Sequence, residues 1–315
     1  RYYTMGEVIN LKKILCLMLC FIIFLAACSS GNESNKSDAK DDKDTKSYTT
    51  EDGSKVKIPK NPKRVLVLTA NYGNLKKLGV KPVGITNVYP DSKYLDMGEV
   101  KKINPENVEA VAKLKPDLII TYKENKNNKK LSKIAPTVPI KVQNMDYKDT
   151  HIEIGKLVNK ESKAKKQADE LSKKLAKDGE EIKKAIGEDK TFSIMDIQAK
   201  DIYQFGPRFG RGSEAIYEGF KLKEDPEAKE AMPKEKFMKV PKEKFNDYSG
   251  DYLLLPTKDG GKVNNEFVKS NIWHNNEAVQ NGNVIYYSMD EAIYADLISV
   301  EKQAEFFKKE LLKNR

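Results

Sequence analysis

Beyond its first 28 residues, this 315-residue chain contains no cysteine and only two histidines. Cys16, Cys20 and Cys28 are its three cysteines, and His151 and His274 its histidines. Disulfides, thiolate metal sites and cysteine nucleophiles are therefore excluded from the rest of the chain. Catalytic triads and direct transition-metal sites usually need at least one well-placed histidine, and we expect both histidines to have surface or packing roles.

Sequence motifs of the common enzyme classes are also missing. The chain has no Gly-x-Ser-x-Gly elbow, no Walker loop and no His-Glu-x-x-His. Residues 206–212 (Gly-Pro-Arg-Phe-Gly-Arg-Gly) are rich in glycine, but the proline and the two arginines do not fit a dinucleotide-binding loop. Aspartate and glutamate are abundant, so composition alone leaves a carboxylate-pair hydrolase open. We expect a protein that is not an enzyme and carries no cofactor.

The net charge of +10 raises the question of nucleic-acid binding, which a clustered basic surface would favour. The lysines are instead spread along amphipathic segments, and no basic cluster rich in aromatic residues occurs. We interpret the charge as a solvated surface and expect no nucleic-acid partner.

The longest apolar run near the N-terminus, residues 14–27, has fourteen residues, and a membrane-spanning helix needs about 20. Lys12 and Lys13 precede it, and Leu25-Ala26-Ala27-Cys28 ends it, which is the pattern of a removable signal peptide. Cys28 after Leu-Ala-Ala resembles a bacterial lipobox. We therefore predict a signal peptide over 1–28 and a lipid anchor on Cys28. Residues 1–10 lie upstream of the signal pattern, and we expect translation to start at Leu11.

The segment after Cys28 has no aliphatic side chain larger than that of Ala39 before residue 50. Such a segment cannot bury enough apolar surface to offset its ordering entropy. We predict a flexible tether over 29–47, which would hold the folded part outside the cell and near the membrane.

Strand and helix patterns alternate from residue 48 to residue 150. Apolar, β-rich runs over 64–69, 82–85, 118–122 and 138–142 predict strands, and 71–78, 105–114 and 129–134 predict helices. This alternation predicts an N-terminal α/β lobe with a parallel sheet covered on both faces.

Residues 151–187 form the predicted bridging region. Apolar residues fall on one face of a helix over 161–186: Ala164, Ala168, Leu171, Leu175, Ile182 and Ile186. A second α/β series fills 188–315, with strands over 191–197, 201–205, 252–255 and 283–287 and helices over 214–220 and 300–312. The predicted fold class is α/β, with two lobes that have central sheets, one long helix as their only connection, and a ligand cleft between them.

The strand end and loop before residue 212 offer the best candidate binding residues: Tyr203, Phe209 and Arg211. An arginine donates several fixed hydrogen bonds to anionic oxygens, and aromatic rings supply flat apolar area. From the residues alone, an alternative remains open in which the two rings belong to the core and Arg211 forms a surface ion pair.

Seven segments of the chain follow one another in a characteristic order. They are 57–65 (KIPKNPKRV), 107–120 (NVEAVAKLKPDLII), 133–138 (KIAPTV), 210–217 (GRGSEAIY), 248–252 (YSGDY), 272–273 (IW) and 298–303 (ISVEKQ). Together they resemble the siderophore-binding lipoproteins of Gram-positive bacteria, a class III periplasmic-binding-protein-like family of ABC importers. The closest likeness is to the ferric-hydroxamate-binding branch, and it extends over residues 48–313.

The resemblance implies roles for particular residues. Arg211 would contact hydroxamate oxygens that already hold Fe(III), and Phe209 and Tyr203 would line the pocket, with further candidate rings at Tyr72, Tyr122 and Tyr294. The siderophore would hold the iron, so no protein metal ligand is expected. Glu109 and Glu243 would dock, one from each lobe, on the permease, which works with an ATPase. The protein would be a monomer, anchored by lipid at the extracellular face of the cell membrane.

Two departures from the family pattern leave the ligand open. Ala292-Ile293 stand where some members have aromatic residues, and Val142 stands where some have a tyrosine after the fourth strand. Ferric hydroxamate is the expected ligand. A catecholate or citrate-type siderophore, haem or cobalamin on the same scaffold is the alternative, and an extracellular hydrolase is a remote one.

Overall fold

The computed structural model describes residues 44–140 and 145–313, and they lie in one compact unit, residues 42–315. Within these ranges, no helix is both long enough and apolar enough to cross a membrane. The predictions for the signal peptide, Cys28 and Val142 fall outside the described residues.

A hairpin opens the described part of the chain. Strands β1 (Thr45–Thr49) and β2 (Lys55–Pro59) pair antiparallel, and Tyr48 and Val56 pack against the N-terminal core. The predicted tether boundary at residue 47 is therefore wrong, because regular structure begins by Thr45. Main-chain pairing orders this polar segment without burying aliphatic side chains, and sequence hydrophobicity does not report such pairing.

The N-terminal lobe contains a five-stranded, fully parallel sheet in the order β5-β4-β3-β6-β7, as predicted. In β3, Val65 and Val67 face one core cluster and Leu66 faces another, so both faces of the sheet are buried. The elements are β3 (Val65–Val67), α1 (Tyr72–Leu78), β4 (Gly84–Thr86), β5 (Lys102–Ile103), α2 (Val108–Lys113), β6 (Leu118–Tyr122), α3 (Asn128–Leu131) and β7 (Thr137–Ile140).

Helix α2 begins later than residue 105, where the proline suggested a start. The side chain of Asn107 accepts a hydrogen bond from the backbone N–H of Ala110 at 2.9 Å. This side-chain cap satisfies one of the unpaired donors of the first turn and fixes the helix start at Val108.

Helices α4 (Tyr147–Leu157) and α5 (Glu161–Ile186) connect the lobes, and α5 has the predicted bounds. All six residues of its apolar stripe are buried. Ala164 belongs to the N-terminal core, whereas the C-terminal core contains Leu171, Leu175, Ile182 and Ile186. His151 of α4 is fully buried and has a packing role, because its ring nitrogens lie 2.9 Å from Asn74 Oδ1 and 3.0 Å from Gln167 Oε1.

The C-terminal sheet is mixed, with the order β11-β9-β8-β12-β13 and β10 paired to β8. β9 runs antiparallel to β8 and β11, whereas β12 runs parallel to β8 and β13. The elements are β8 (Thr191–Ile197), β9 (Ile202–Phe205), a π-helix (Glu214–Gly219), β10 (Lys223–Glu224), α6 (Pro226–Ala231), β11 (Phe237–Val240), a 3₁₀ turn (Lys242–Lys244), β12 (Tyr252–Thr257), a second 3₁₀ turn (Phe267–Lys269), α7 (Asn271–His274), α8 (Glu277–Gln280), β13 (Val284–Ser288) and α9 (Met289–Ala292).

The last helix, α10 (Leu297–Leu312), packs on both lobes. Its first backbone N–H, at Leu297, donates to Asn74 Oδ1 of α1 at 3.0 Å. Glu301 of α10 forms an ion pair with Lys77 of α1 at 2.8 Å. Further along, Phe307 is buried in the C-terminal core. Helix α5 bridges the lobes as predicted, and the packing of α10 adds a second contact between them. An amphipathic pattern identifies a helix but not which lobe its buried face will meet.

Gly179 lies where α5 closely approaches the C-terminal lobe. A methyl group at this position would lie 2.1 Å from the carbonyl oxygen of Phe220. We predict that Gly179→Ala lowers the free energy of unfolding by about 1–3 kcal/mol through overpacking, although alanine is the better helix former by roughly 0.5–1 kcal/mol. Urea denaturation measures the change. Lys177→Ala, at an exposed position of α5, is the control and should change stability by less than about 0.5 kcal/mol. A stabilised Gly179→Ala protein would contradict the packing.

Asp296 caps α10 and makes the stability of the fold depend on pH. It is fully buried and accepts hydrogen bonds from the N–H groups of Ile298 and Ser299 and from Ser299 Oγ. Burial raises the pKa of Asp296 from 3.8 to about 6. The folded state therefore binds this proton more tightly than the unfolded state, so the contribution of Asp296 to stability increases as the pH falls from about 6 toward 3.8.

We predict that Asp296→Asn removes this dependence while it keeps a good cap. The free energy of unfolding of the variant minus that of the wild type should decrease by up to about 3 kcal/mol as the pH is lowered from 7 to 4. Chemical denaturation at a series of pH values measures this difference. A difference that does not vary with pH would show that Asp296 keeps its ordinary pKa.

Candidate functional site

A cleft of about 700 Å³ lies between the lobes, at the carboxyl ends of the parallel N-terminal strands. Asn71 follows β3, Tyr89 follows β4 and Asn125 follows β6, and all three line the cleft. The opposite wall comes from residues 208–211, after β9, and from the segment just before α10. Open α/β sheets bind ligands outside the carboxyl ends of their strands, so the topology alone makes this cleft the candidate site.

Residues 206–212 form the loop that carries the predicted arginine. Arg208, Gly210, Arg211 and Gly212 all have positive φ, between 58° and 85°, and such backbone is costly for residues other than glycine. A side chain at Gly210 would meet the carbonyl oxygen of Ile293 at 2.8 Å, and one at Gly212 would meet the ring of Phe307 at 2.7 Å. The two glycines thus let the loop pack directly onto α10 and the segment that leads into it.

Two residues at the start of the π-helix hold this loop. Phe209 N–H donates to Ser213 Oγ at 3.1 Å, and Gly210 N–H donates to Glu214 Oε1 at 2.9 Å. Burial raises the pKa of Glu214. The loop conformation is therefore fixed by buried hydrogen bonds within the C-terminal lobe.

Arg211 lies against two aromatic rings that the loop and β9 provide. Its guanidinium carbon is 4.2 Å from the centre of the Phe205 ring and 5.1 Å from that of Phe209. Nη1 donates to the carbonyl oxygen of Phe209 at 3.2 Å, and the hydroxyl of Tyr287 donates to the carbonyl oxygen of Arg211 at 2.7 Å. Burial lowers the pKa of Arg211 from its ordinary value of 12.5, but a guanidinium stays protonated in proteins.

Within the described ranges, no carboxylate forms an ion pair with Arg211, which argues against the alternative of a surface ion pair. Its neighbour Arg208 also lines the cleft, but there Nε is bonded to the carboxylate of Glu218. Aromatic rings hold the guanidinium of Arg211 in place, whereas a carboxylate holds that of Arg208. Of these two arginines, only Arg211 therefore presents an unpaired positive charge to the cleft.

Two tyrosines form a polar pair on the N-terminal wall. The hydroxyl oxygens of Tyr89 and Tyr122 are 2.9 Å apart, and Ala70 N–H donates to the Tyr122 oxygen at 3.0 Å. Burial raises the pKa of Tyr122 well above its usual range, so this hydroxyl stays protonated. One of the two hydroxyl groups donates a hydrogen bond to the other, and the remaining hydroxyl proton is free to reach an acceptor.

The other three predicted rings do not line the cleft. Tyr203 lies on β9, where it shares a sheet face with Phe205 and opposes Asp196 and Lys239. Tyr72 is buried in α1 beside a smaller cavity. Tyr294 is buried, and its hydroxyl donates to the carbonyl oxygen of Pro90, so it supports Tyr89, whose ring centre is 5.8 Å away. Arg211, Phe209 and Tyr122 are thus brought together in the cleft.

The two predicted docking glutamates are exposed and lie on different lobes. Glu109 is in the first turn of α2, and Glu243 is in the 3₁₀ turn after β11. In the part of the chain that the structure describes, no group of three or more His, Cys, Asp or Glu side chains could hold a metal ion.

Sequence reasoning missed several residues of the cleft, among them Asn71, Thr86, Tyr89, Asn125 and Tyr147. The first four share one signal, since each lies at the carboxyl end of an N-terminal strand or within four residues after it. That position is readable from the sequence once a parallel sheet is predicted. Tyr147 begins α4, after the undescribed residues 141–144, and no comparable signal marks it.

Comparison with known proteins agrees with this architecture. Iron(3+)-hydroxamate-binding protein FhuD of Bacillus subtilis (strain 168) is 40% identical to this chain over an alignment of 300 residues, and the match covers 92% of this chain and 94% of that protein. Iron(3+)-hydroxamate-binding protein YxeB of the same organism is 30% identical, over 94% of this chain and 95% of its own length.

Among solved structures, FhuD2 of Staphylococcus aureus with bound ferrioxamine B has a TM-score of 0.75 and 35% identity to this protein. The match covers 80% of this chain and 99% of that one. A family model described as "Periplasmic binding protein" matches residues 65–290, which is well over half of the chain. The chain therefore belongs to the periplasmic binding protein family.

Proposed function

We propose that this protein is the substrate-binding component of an ABC importer, and that it captures a ferric hydroxamate siderophore and delivers it to the membrane permease. The observation that carries the proposal is Arg211, a cation that faces the cleft between aromatic rings without an ion-pair partner among the described residues. The hydroxamate-binding relatives support the class of ligand.

The chemistry of the cleft suits a finished iron complex. Fe(III) prefers hard oxygen ligands, and three hydroxamates supply all six. Their oxygens keep partial negative charge, which a guanidinium can meet with two hydrogen bonds. The free hydroxyl proton of the Tyr89–Tyr122 pair offers a further donor from the opposite wall. A cleft of about 700 Å³ is within the usual range for small-molecule sites.

The rival ligands make different demands on the cleft. Haem would need an axial tyrosine or histidine, and among the described residues no histidine lines the cleft, although Tyr89, Tyr122 and Tyr147 do. Calorimetric titration of the wild type with ferrioxamine B, a ferric catecholate, ferric citrate and haem separates these cases. Saturable binding of ferrioxamine B supports the proposal, and binding of only another member of the panel would overturn the hydroxamate assignment.

Delivery requires the protein to stay near the permease. We propose that Cys28 carries the lipid anchor, on the strength of the Leu25-Ala26-Ala27-Cys28 pattern, and that the protein acts as a monomer at the extracellular face of the membrane. The ATPase of the importer would drive transport without contact with this chain. No bond in the siderophore is made or broken by the protein.

Replacement of Arg211 tests the binding mode. A charged hydrogen bond contributes roughly 1.5–3 kcal/mol, so Arg211→Ala should weaken binding of ferrioxamine B by about ten- to a hundredfold. Arg211→Lys should restore only part of the affinity because the planar fork is lost. Isothermal titration calorimetry gives the affinities, and thermal unfolding shows whether the fold is retained.

Arg208→Ala is the matched control, because the same residue type on the same loop is already bonded to Glu218. We expect it to change affinity by less than about threefold. If Arg211→Ala instead lowers the melting temperature strongly and leaves affinity unchanged, Arg211 has a structural role and the hydroxamate assignment loses its main support.

The permease contact generates a separate prediction. Glu109→Ala combined with Glu243→Ala should abolish uptake of ferric siderophore by cells and leave its affinity for the purified protein within about twofold, because both side chains are exposed and neither lines the cleft. Uptake of radiolabelled iron and calorimetry measure the two effects. Alanine at the exposed Glu227 and Glu235 serves as a control for loss of negative charge. An equal loss of affinity and uptake would place the first pair in the binding site.

A further inference from the structure

Two large hydrophobic side chains are exposed among the described residues, one on the wall of the cleft and one next to it. Val88 is 65% exposed and Phe237 is 41% exposed. Val88 lines the cleft from the loop after β4. Phe237 begins β11, the edge strand of the C-terminal sheet, and its ring is 5.1 Å from that of Phe209, which lines the cleft. Single exposed hydrophobic residues are common, but Val88 lines the N-terminal wall of the cleft and Phe237 contacts a ring of the C-terminal wall.

Phe237 ends a continuous row of aromatic rings that begins at Arg211. Phe237 is the direct cross-strand neighbour of Phe205, and the ring of Phe209 lies within 5.3 Å of the rings of both. The guanidinium of Arg211 lies over Phe205 at the other end of the row. From Arg211 to Phe237 the row therefore changes from a cationic, hydrogen-bonding group on the cleft wall to an exposed apolar ring beside that wall.

We infer that Phe237 and Val88 are specificity-determining residues, which hold the polymethylene chains of a ferric trihydroxamate while Arg211 binds its oxygens. The inference rests on the proposed function and narrows the ligand class to chelates whose hydroxamates are joined by methylene chains. In such a chelate the iron centre is polar and the linking chains are apolar. The protein offers matching groups in the same order, from the polar Arg211 to the apolar Phe237. Burial of the exposed parts of both side chains by those chains favours binding.

Another role for Phe237 has to be separated from this one. In that alternative, the Phe237 ring does not touch the ligand and serves only to keep Phe209 and Arg211 in place through its contact with Phe209. In that case every hydroxamate complex would lose affinity when Phe237 is replaced, whatever its linkers. Direct contact with the linkers affects only complexes that have them.

The experiment compares two ferric complexes that share the same iron–hydroxamate centre. Ferrioxamine B has polymethylene linkers, and ferric tris(acetohydroxamate), kept intact with excess acetohydroxamate, has none. We expect Phe237→Ser to weaken binding of ferrioxamine B by about three- to tenfold and that of the acetohydroxamate complex by less than twofold. Val88→Ser should show the same selectivity with a smaller loss, and Phe237→Leu should retain most of the affinity.

Tyr286→Ser is the control, since it removes a partly buried ring from β13 at the other edge of the same sheet and should leave both affinities unchanged. Equal losses for the two complexes, or no loss of ferrioxamine B affinity, would overturn the inference. If Phe237→Ser does not unfold cooperatively, Val88→Ser and Phe237→Leu decide by the same criteria. A wild-type protein that binds neither complex would overturn the proposed function itself, and this inference with it.

Discussion

The geometry of the cleft depends on one packing constraint. Helix α10 and the segment before it pack closely against glycines of both lobes. A side chain at Gly73 of α1 would overlap the carboxylate of Asp296, and a side chain at Gly212 would overlap the ring of Phe307. The Arg211 loop and the first N-terminal helix are thus held by the same segment of chain. Because interiors are close-packed and transmit displacements, a shift of α10 would move Arg211 relative to the N-terminal wall.

This second connection bears on how the lobes can move. Helix α5 joins their cores along its length, and α10 adds a hydrogen bond from Leu297 to Asn74 and an ion pair between Glu301 and Lys77. Asn74 also lies 2.9 Å from His151, which reaches Gln167 of α5. Two helices tied to each other through a buried polar network favour a largely preformed cleft, which reduces the ordering cost of ligand binding.

The two walls of the cleft are held by different interactions. On the N-terminal side, side chains at the strand ends and the Tyr89–Tyr122 hydroxyl pair present polar groups to the cleft. On the C-terminal side, stacking against Phe205 and Phe209 holds the guanidinium without neutralising it. A carboxylate partner would have fixed Arg211 equally well but would have competed with an anionic ligand. Aromatic packing therefore combines rigidity with an available charge, which suits reversible capture of an oxygen-rich complex.

Sequence by itself determined the parallel N-terminal sheet, the bounds of α5 with its buried stripe, and the presence of Arg211 and Phe209 at a candidate site, because hydrophobic periodicity and glycine-rich turns are local signals. Only the tertiary structure decided that β1 begins at Thr45, that α10 joins both lobes, and that Tyr72, Tyr203 and Tyr294 lie outside the cleft while Tyr147 lines it. These outcomes depend on strand pairing and on which face of an element meets a distant neighbour, and neither is encoded in the spacing of residues along the chain.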